Sequence, residues 1–431
     1  MPASTAPRAT KEPRISTREP ASPRAARRVR GTRRSRRANA ATGLLLGCVL
    51  ATASCASAKT APNASTQPGT GSGSASAQSS SAAATGQSSS APSTAKLTPV
   101  QLAGQRVIYS FTGTTVPSSL LKLIREGEVA GVIFFSSNIS SVSQLAAVTK
   151  ELDDAQAESP VHLPLLLMTD QEGGEVRRIA GGNPTQSQLT IGQSSDPAQA
   201  AASAGTGAAE TLSDAGLNVN LAPVLDVYAV PGNFIDQFQR SYSSDPSVVS
   251  TAATAFIVAQ QKGGVAATAK HFPGLGTAPK GADTDMEPVT LTEPLSQLRA
   301  VDELPYKSAI SNGVDLIMVS WAVYTALDAN RPAGLSSVVV QQELRDRLGY
   351  TGVTITDALE AGALKAYGGP GQRAVDAASA GMDLLLCSSG SVAQGEEATQ
   401  ALASALQGGQ LTSSSFNAAV QRVDALRSTL G

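Results

Sequence analysis

Short, mostly apolar runs recur along the C-terminal three quarters of the chain, near residues 106–110, 131–135, 165–169, 218–222, 265–269, 315–319, 353–356 and 383–387. Examples are Val107-Ile108-Tyr109, Leu165-Leu166-Leu167-Met168 and Leu384-Leu385-Leu386. None shows the apolar/polar alternation of a strand with one wet face, so each is predicted to be a strand buried on both sides. The segments between them are rich in Ala, Leu, Gln and Glu, the composition of covering helices. Eight strand–helix repeats predict an α/β fold, a single-domain (β/α)8 TIM-type barrel. A doubly wound open parallel sheet would show the same local pattern and is the alternative.

The residues that follow the runs favour the barrel. Asp170 follows the third run, Lys270-His271 the fifth, Ser320-Trp321 the sixth and Asp357 the seventh. In a barrel these strand ends converge on one mouth, the face on which barrels carry their chemistry. Any one of them alone would serve equally well as a helix cap or a loop residue.

The first 96 residues follow a different pattern. Residues 1–40 carry twelve Lys/Arg and two Asp/Glu, so the formal net charge of -1 sums a basic head and an acidic body. No charge occurs from Ala38 to Ala58, and Leu44–Ala51 form an apolar centre. A basic n-region before an apolar h-region reads as a signal peptide over residues 1–54. The small residues Thr52-Ala53-Ser54 before Cys55 resemble the lipobox of bacterial lipoproteins, which implies lipidation of Cys55. Leu45-Leu46-Gly47-Cys48 is the competing match. An uncleaved anchor is the other reading, since about 20 uncharged residues can just span a bilayer. The arginine pairs at 33–34 and 36–37 lack the hydrophobic residues expected after a twin-arginine signal. The head is long for a signal peptide, and initiation at Val29 would shorten it. Residues 55–96 are almost wholly Ser, Ala, Thr, Gly, Gln and Pro. They cannot bury enough apolar surface to fold, and read as a tether with a reach of about 35 Å. These features predict an extracytoplasmic protein, lipid-anchored to the outer face of a bacterial cell membrane, with residues 97–431 as the folded domain.

Composition narrows the chemistry of the mouth. The acidic body argues against a nucleic-acid partner. His162 and His271 are the only histidines in the chain, which argues against a multi-histidine zinc centre. Cys387 lies inside an apolar run, as a buried structural thiol does, and as the one cysteine of the body it forms no internal disulfide. There is no phosphate-binding loop, and Gly173-Gly174 and Gly181-Gly182 do not form a dinucleotide fingerprint. No cofactor is expected; Mg²⁺ on Asp170 and Glu172 is a minor alternative. Carboxylates remain plentiful, and paired carboxylates at a barrel mouth point first to glycoside hydrolysis.

The motifs make this specific. Thr169-Asp170-Gln171-Glu172-Gly173-Gly174 with Arg177-Arg178, Asn220-Leu221-Ala222-Pro223-Val224-Leu225-Asp226, Arg240-Ser241-Tyr242, Lys270-His271-Phe272-Pro273-Gly274, Asp302-Glu303-Leu304-Pro305-Tyr306 and Ile355-Thr356-Asp357-Ala358-Leu359 occur in that order. The chain thereby resembles glycoside hydrolase family 3 from about residue 105 to 390, in particular its single-domain β-N-acetylglucosaminidase (β-hexosaminidase) branch. The resemblance implies a retaining exo-glycosidase that removes terminal β-linked N-acetylglucosamine from wall-derived or other glycans. It makes Asp357 the nucleophile, and Asp170, Arg178, Arg240, Lys270 and His271 the sugar-binding residues. A carbohydrate is the implied partner, and the protein is expected to be a monomer.

One loop departs from the family. Where that branch carries an Asp-His pair as general acid/base, this chain reads Asp283-Thr284-Asp285, with no imidazole to spare. A carboxylic acid takes over proton transfer if its pKa is raised towards neutrality, so Asp285 is the first candidate, Asp283 its helper and Glu287 a third. Trp321 stands where the family commonly has His, and Glu175 where it has Arg. Besides a working N-acetylglucosaminidase, two readings stay open: a sugar-binding lipoprotein with weak or lost turnover, and a family 3 β-glucosidase, transferase or phosphorylase.

Overall fold

The computed structural model describes residues 97–430. The signal peptide, Cys48, Cys55 and the tether read from the sequence lie outside the described residues. Every predicted apolar run coincides with a strand, the fifth and seventh strands running on past their runs: β1 Val107–Tyr109, β2 Gly131–Ile133, β3 Leu166–Thr169, β4 Val219–Asn220, β5 Ala266–Phe272, β6 Leu316–Val319, β7 Val353–Ala358 and β8 Leu384–Leu386. They close into a barrel in sequence order, β8 pairing with β1, and all neighbours are parallel. The open-sheet alternative is thereby excluded.

Why the runs look uniformly apolar is visible in the two faces of each strand. Ile108, Ile133, Leu166, Met168, Leu316, Met318 and Ile355 fill the barrel interior. Their neighbours Val107, Tyr109, Val132, Leu167, Ile317 and Val319 belong to the outer core beneath the helices. The pleat therefore alternates between two dry environments. The outer layer comprises α1 Ser118–Arg125, α2 Val142–Ala157, α3 Pro197–Asp214, α4 Pro246–Lys262, α5 Leu304–Ser311, a π-wound α6 Val338–Arg347, α7 Pro370–Ala380 and α8 Val392–Gln407. Helices α3 and α4 start on Asp-Pro: Asp196 and Asp245 accept from the amides of Gln199 and Ser247. Pro197 and Pro246 take the first turn, where a missing N–H costs nothing.

A last helix, Ser413–Arg427, stops the N-terminal end of the barrel, since its Val423 and Leu426 join the interior cluster. Arg427 is fully buried there and donates to the carbonyls of Pro164 and Leu163 and to Gln105 Oε1. At the same end Asp383 accepts from Arg345 (2.6 Å) and Arg422 (2.7 Å). With its floor sealed, the barrel is open to ligands at the other end, where the candidate residues lie.

Two irregularities in the ladder set up the site. Between β5 and β6, Ala269 faces Ile317 but Phe272 faces Val319, so β5 holds one extra residue. Between β7 and β8, Ile355 faces Leu384 but Ala358 faces Leu386, again one extra. A bulge breaks strict alternation and re-aims side chains. It allows the consecutive residues Lys270 and His271 to line the same cavity, and it falls on Asp357 in β7.

Candidate active site

A cavity of about 410 Å³ opens at the C-terminal ends of the strands, lined by Asp170, Arg178, Arg240, Lys270, His271, Asp283, Asp285 and Asp357. The proposed nucleophile, the first acid/base candidate with its helper and the five sugar-binding residues thus meet in one place. Phe234, Glu360 and Ser388 also line it. Glu287 does not: it is exposed and lies outside the cavity lining. Ser320 and Trp321 do not reach the mouth either. Trp321 is completely buried beside β7 and donates its indole N–H to the carbonyl of Ala358 at 2.8 Å, bracing the residue next to Asp357.

One wall is an ion cluster anchored on the first motif. Gly173 and Gly174, at φ +106° and +57°, turn the chain back on itself, so that Gln171–Gly173 pairs with Val176–Arg177 and Arg178 returns beside Asp170. Asn220 at the end of β4 locks this segment by accepting from Gln171 N and donating to Gln171 O. Glu172, 1% exposed, then receives Arg240 bidentately at 2.7 and 2.8 Å and Lys270 Nζ at 2.8 Å. The same ammonium donates to Asp170 Oδ1 at 2.8 Å. Arg178 Nη2 stands 3.6 Å from Asp170 Oδ2. Burial alone would raise the pKa of Glu172, but Arg240 and Lys270 outweigh it and hold the carboxyl far below its ordinary range. Asp170 is lowered in the same way, by Lys270 and then Arg178 against burial, and Lys270 is raised by the two carboxylates. The position weighed for Mg²⁺ between Asp170 and Glu172 is filled by the Lys270 ammonium, so this donor set does not fit a metal ion.

His271 is held from behind. Asp226, fully buried, accepts at Oδ1 from the amides of His271 (3.2 Å) and Leu275 (2.7 Å), and at Oδ2 faces His271 Nδ1 at 2.8 Å. An acceptor-only carboxylate on Nδ1 places the proton there and turns Nε2 towards Arg240, 3.5 Å away. The sequence holds Asp226 within a motif, but nothing local reveals that it orients a histidine 45 residues on.

The opposite wall is carboxylate. Asp357 accepts from Ala358 N at 2.8 Å and stands at the end of β7. Asp285 reaches it on the β5–α5 loop, whose backbone is stitched to the loop after β7: Gly362 N donates to Asp285 O (2.7 Å) and Ala363 N to Thr284 O (3.0 Å). A methyl group on Gly362 would sit 2.0 Å from Met286 O, so only glycine permits this approach. Asp283 Oδ1 accepts from Asp285 N at 2.9 Å and fixes the turn. Asp285 is solvent-exposed at the rim, yet its pKa is raised to about 7. The chief cause is the charge of Asp357, followed by dehydration, Asp283 and Glu360. A carboxyl group that the charge of a second one keeps protonated towards neutrality, in the same cleft, is the proton donor that acid/base chemistry needs. Burial meanwhile drives the Cys387 thiol well up, making it unreactive as expected.

Comparison with known proteins agrees with this geometry. The family model described as the N-terminal domain of glycosyl hydrolase family 3 matches residues 101–426. A protein of Arthroderma benhamiae named an uncharacterized secreted glycosyl hydrolase is 49% identical over 330 residues, 76% of this chain and 93% of that one. A β-hexosaminidase of Xanthomonas oryzae pv. oryzae is 31% identical over 301 residues, covering 68% of this chain and 87% of that one. The structure of a glycoside hydrolase family 3 β-N-acetylglucosaminidase from a Paenibacillus species is similar at a TM-score of 0.73 and 35% identity, over 78% of this chain and 63% of the Paenibacillus chain. The barrel thus spans less than two thirds of that larger protein. Matched along nearly all of its barrel, this chain belongs to glycosyl hydrolase family 3.

Proposed function

We propose that the protein is a retaining exo-glycosidase that hydrolyses terminal β-linked N-acetylglucosamine, with Asp357 as nucleophile and Asp285 as general acid/base. The observation that carries this reading is the pairing of Asp357 with an Asp285 raised to about 7 in the same cavity. In the first step the Asp357 carboxylate attacks the anomeric carbon while Asp285 gives its proton to the glycosidic oxygen, and the leaving group departs as an alcohol. Water then attacks the glycosyl ester, Asp285 takes back a proton, and Asp357 is released. Asp283 acts on this step through Asp285, by its charge and by the turn it caps.

The ion cluster supplies the sugar site. Asp170 and the cations beside it present acceptors and donors to ring hydroxyls. The name of the Xanthomonas relative supports a hexosamine as the glycone, and that of the Paenibacillus protein supports N-acetylglucosamine. The sealed barrel floor suits an exo mode, since only a chain end enters such a pocket. We also propose that the mature protein is a monomer, tethered through residues 55–96 and lipidated on Cys55 outside a bacterial cell. The secreted Arthroderma relative supports export, and no helix among the described residues is long and apolar enough to cross a membrane.

The test uses two substrates. An aryl β-N-acetylglucosaminide, whose leaving group needs little protonation, and chitobiose, which needs the acid, should both be cleaved. Asp357→Ala should abolish both activities. Asp285→Asn should slow chitobiose on the order of a hundredfold or more while the aryl glycoside loses far less. Full activity of Asp357→Ala would refute the assignment, and binding without turnover by the wild type would favour a sugar-binding role.

A further inference from the structure

The two sides of the cavity carry opposite electrostatics. On the glycone side Arg178, Arg240 and Lys270 offset Asp170 and Glu172. On the side of Asp285, the lining charges are Asp283, Asp285, Asp357 and Glu360, and none of them forms an ion pair among the described residues. Glu360 is held at the rim by Ser388 Oγ (2.6 Å) and Gln394 Nε2 (3.0 Å). Arg373 lies within reach of the Glu360 charge but forms no ion pair with it, donating instead to the carbonyls of Leu359 and Gly368, while Lys365 donates to the carbonyl of Met286. A general acid must touch the glycosidic oxygen, so the leaving group lies on this anionic side.

Exposed apolar side chains stand next to the cavity, on loops that also supply its lining. Among the described residues the exposed large hydrophobic side chains are Val230, Phe238, Val258 and Met286, and all but Val258 lie on the loops that follow β4 and β5. Met286 is 68% exposed beside Asp285, and Phe238, 40% exposed, stacks edge-to-face at 6.2 Å on the cavity-lining Phe234. The two loops are fastened together by Ala229 N and Asn233 Nδ2 on Gly276 O and by Phe234 N on Ala278 O. Exposed apolar groups grouped at a pocket mouth mark a binding surface, and the face of a pyranose ring is apolar C–H.

We propose that Phe238, Met286, Asp283 and Glu360 form a leaving-group subsite for an uncharged or amine-bearing sugar ring, one that disfavours a ring carrying a carboxylate. The proposal rests on the glycosidase reading for which ring leaves. The ring packs its C–H face on Phe238 and Met286; an amine gains from the carboxylates, and an acidic substituent meets unpaired like charge.

Calorimetry on Asp357→Asn tests it without turnover, using three disaccharides with a non-reducing N-acetylglucosamine: one ending in N-acetylglucosamine, one in glucosamine and one in N-acetylmuramic acid. At low salt the muramic acid ligand should bind about tenfold more weakly than the N-acetylglucosamine one, and the glucosamine ligand at least as tightly. Adding Glu360→Gln, which keeps an acceptor for Ser388, should shrink the gap to about threefold or less, as should 0.5 M salt. Phe238→Ala should weaken all three by a similar several-fold factor. Equal or tighter binding of the muramic acid ligand, or a gap that ignores Glu360→Gln, overturns the proposal. Hydrolysis of N-acetyl-β-glucosaminyl fluoride by the wild type, which engages no leaving-group ring, reports separately on whether the chain is a glycosidase.

Discussion

Asp285 keeps its proton near neutrality because of neighbours that mutation can remove one at a time. From an ordinary value of 3.8 its pKa rises to about 7, with Asp357 the largest cause, then dehydration, Asp283 and Glu360. At pH 7 about half of the enzyme therefore holds the acid form; at the ordinary value the fraction would be on the order of one in a thousand. Asp283→Asn deletes one of these charges yet keeps the oxygen that accepts from Asp285 N. A like charge about 4 Å away and screened by bulk water, as at this exposed rim, is worth about 1 kcal/mol, or roughly 0.7 of a pH unit. Removing it makes ionisation of Asp285 easier, so its pKa falls. The basic limb of kcat/KM for chitobiose should move from about 7 to roughly 6.3. Rates at pH 8 should then drop about fivefold, with little change at pH 5. Glu360→Gln should shift the limb the same way by less. The assay is the pH profile of kcat/KM from 4.5 to 9, which reports the free enzyme. A basic limb that stays put in both variants would show that it does not belong to Asp285.

The remaining predictions probe what holds the site. Glu172→Gln leaves Lys270 and Arg240 with one carboxylate fewer in a dry site and should cost about 3–5 kcal/mol by denaturant unfolding; a loss below 1 kcal/mol would contradict the ion cluster. Asp302 is 1% exposed, both its carboxyl oxygens lack partners, and its pKa is raised to about 8 by burial, then Glu293 and Asp226. Between its ordinary value of 3.8 and about 8 the folded state keeps this proton while the unfolded state loses it, so its contribution to stability falls as pH rises. The Tm advantage of Asp302→Asn over wild type should accordingly grow from pH 4 to pH 8, and a flat difference would refute this. Gly362→Ala should push away the loop carrying Asp285, lowering kcat on chitobiose at least tenfold with the fold intact by circular dichroism; unchanged kcat would mean the contact is dispensable.

Much of this was legible in the chain because parallel barrel strands are dry on both faces. The third and sixth runs need no partner to be recognised, and Asp170, Lys270, His271 and Asp357 announce themselves by ending such runs. What escaped were features made by pairing at a distance. Glu172 reads as one more motif residue until Arg240 and Lys270 are seen to close on it from 68 and 98 positions away. The bulges at Lys270-His271 and Asp357 depend on register with β6 and β8, which no local pattern encodes. Ser320-Trp321 follows a strand as Asp357 does, yet its indole is large and apolar enough to be drawn into the core. Glu287 and Asp285 look alike in sequence, and only the stitching of the loop to Gly362 and Ala363 separates them. Phe238 carried no signal, since a loop phenylalanine gains meaning only from the cavity beside it.

The central claim, that Asp357 forms a covalent bond to the sugar, can be read directly. Incubation with a fluorinated N-acetylglucosaminyl substrate that forms the glycosyl-enzyme quickly and releases it slowly, followed by proteolysis and mass spectrometry, locates the label. The account predicts one glycosyl adduct per protein, on the peptide containing Asp357, absent in Asp357→Ala and lost on addition of an acceptor sugar. A label on another residue, or turnover of the same substrate with no covalent species at any time, would contradict it.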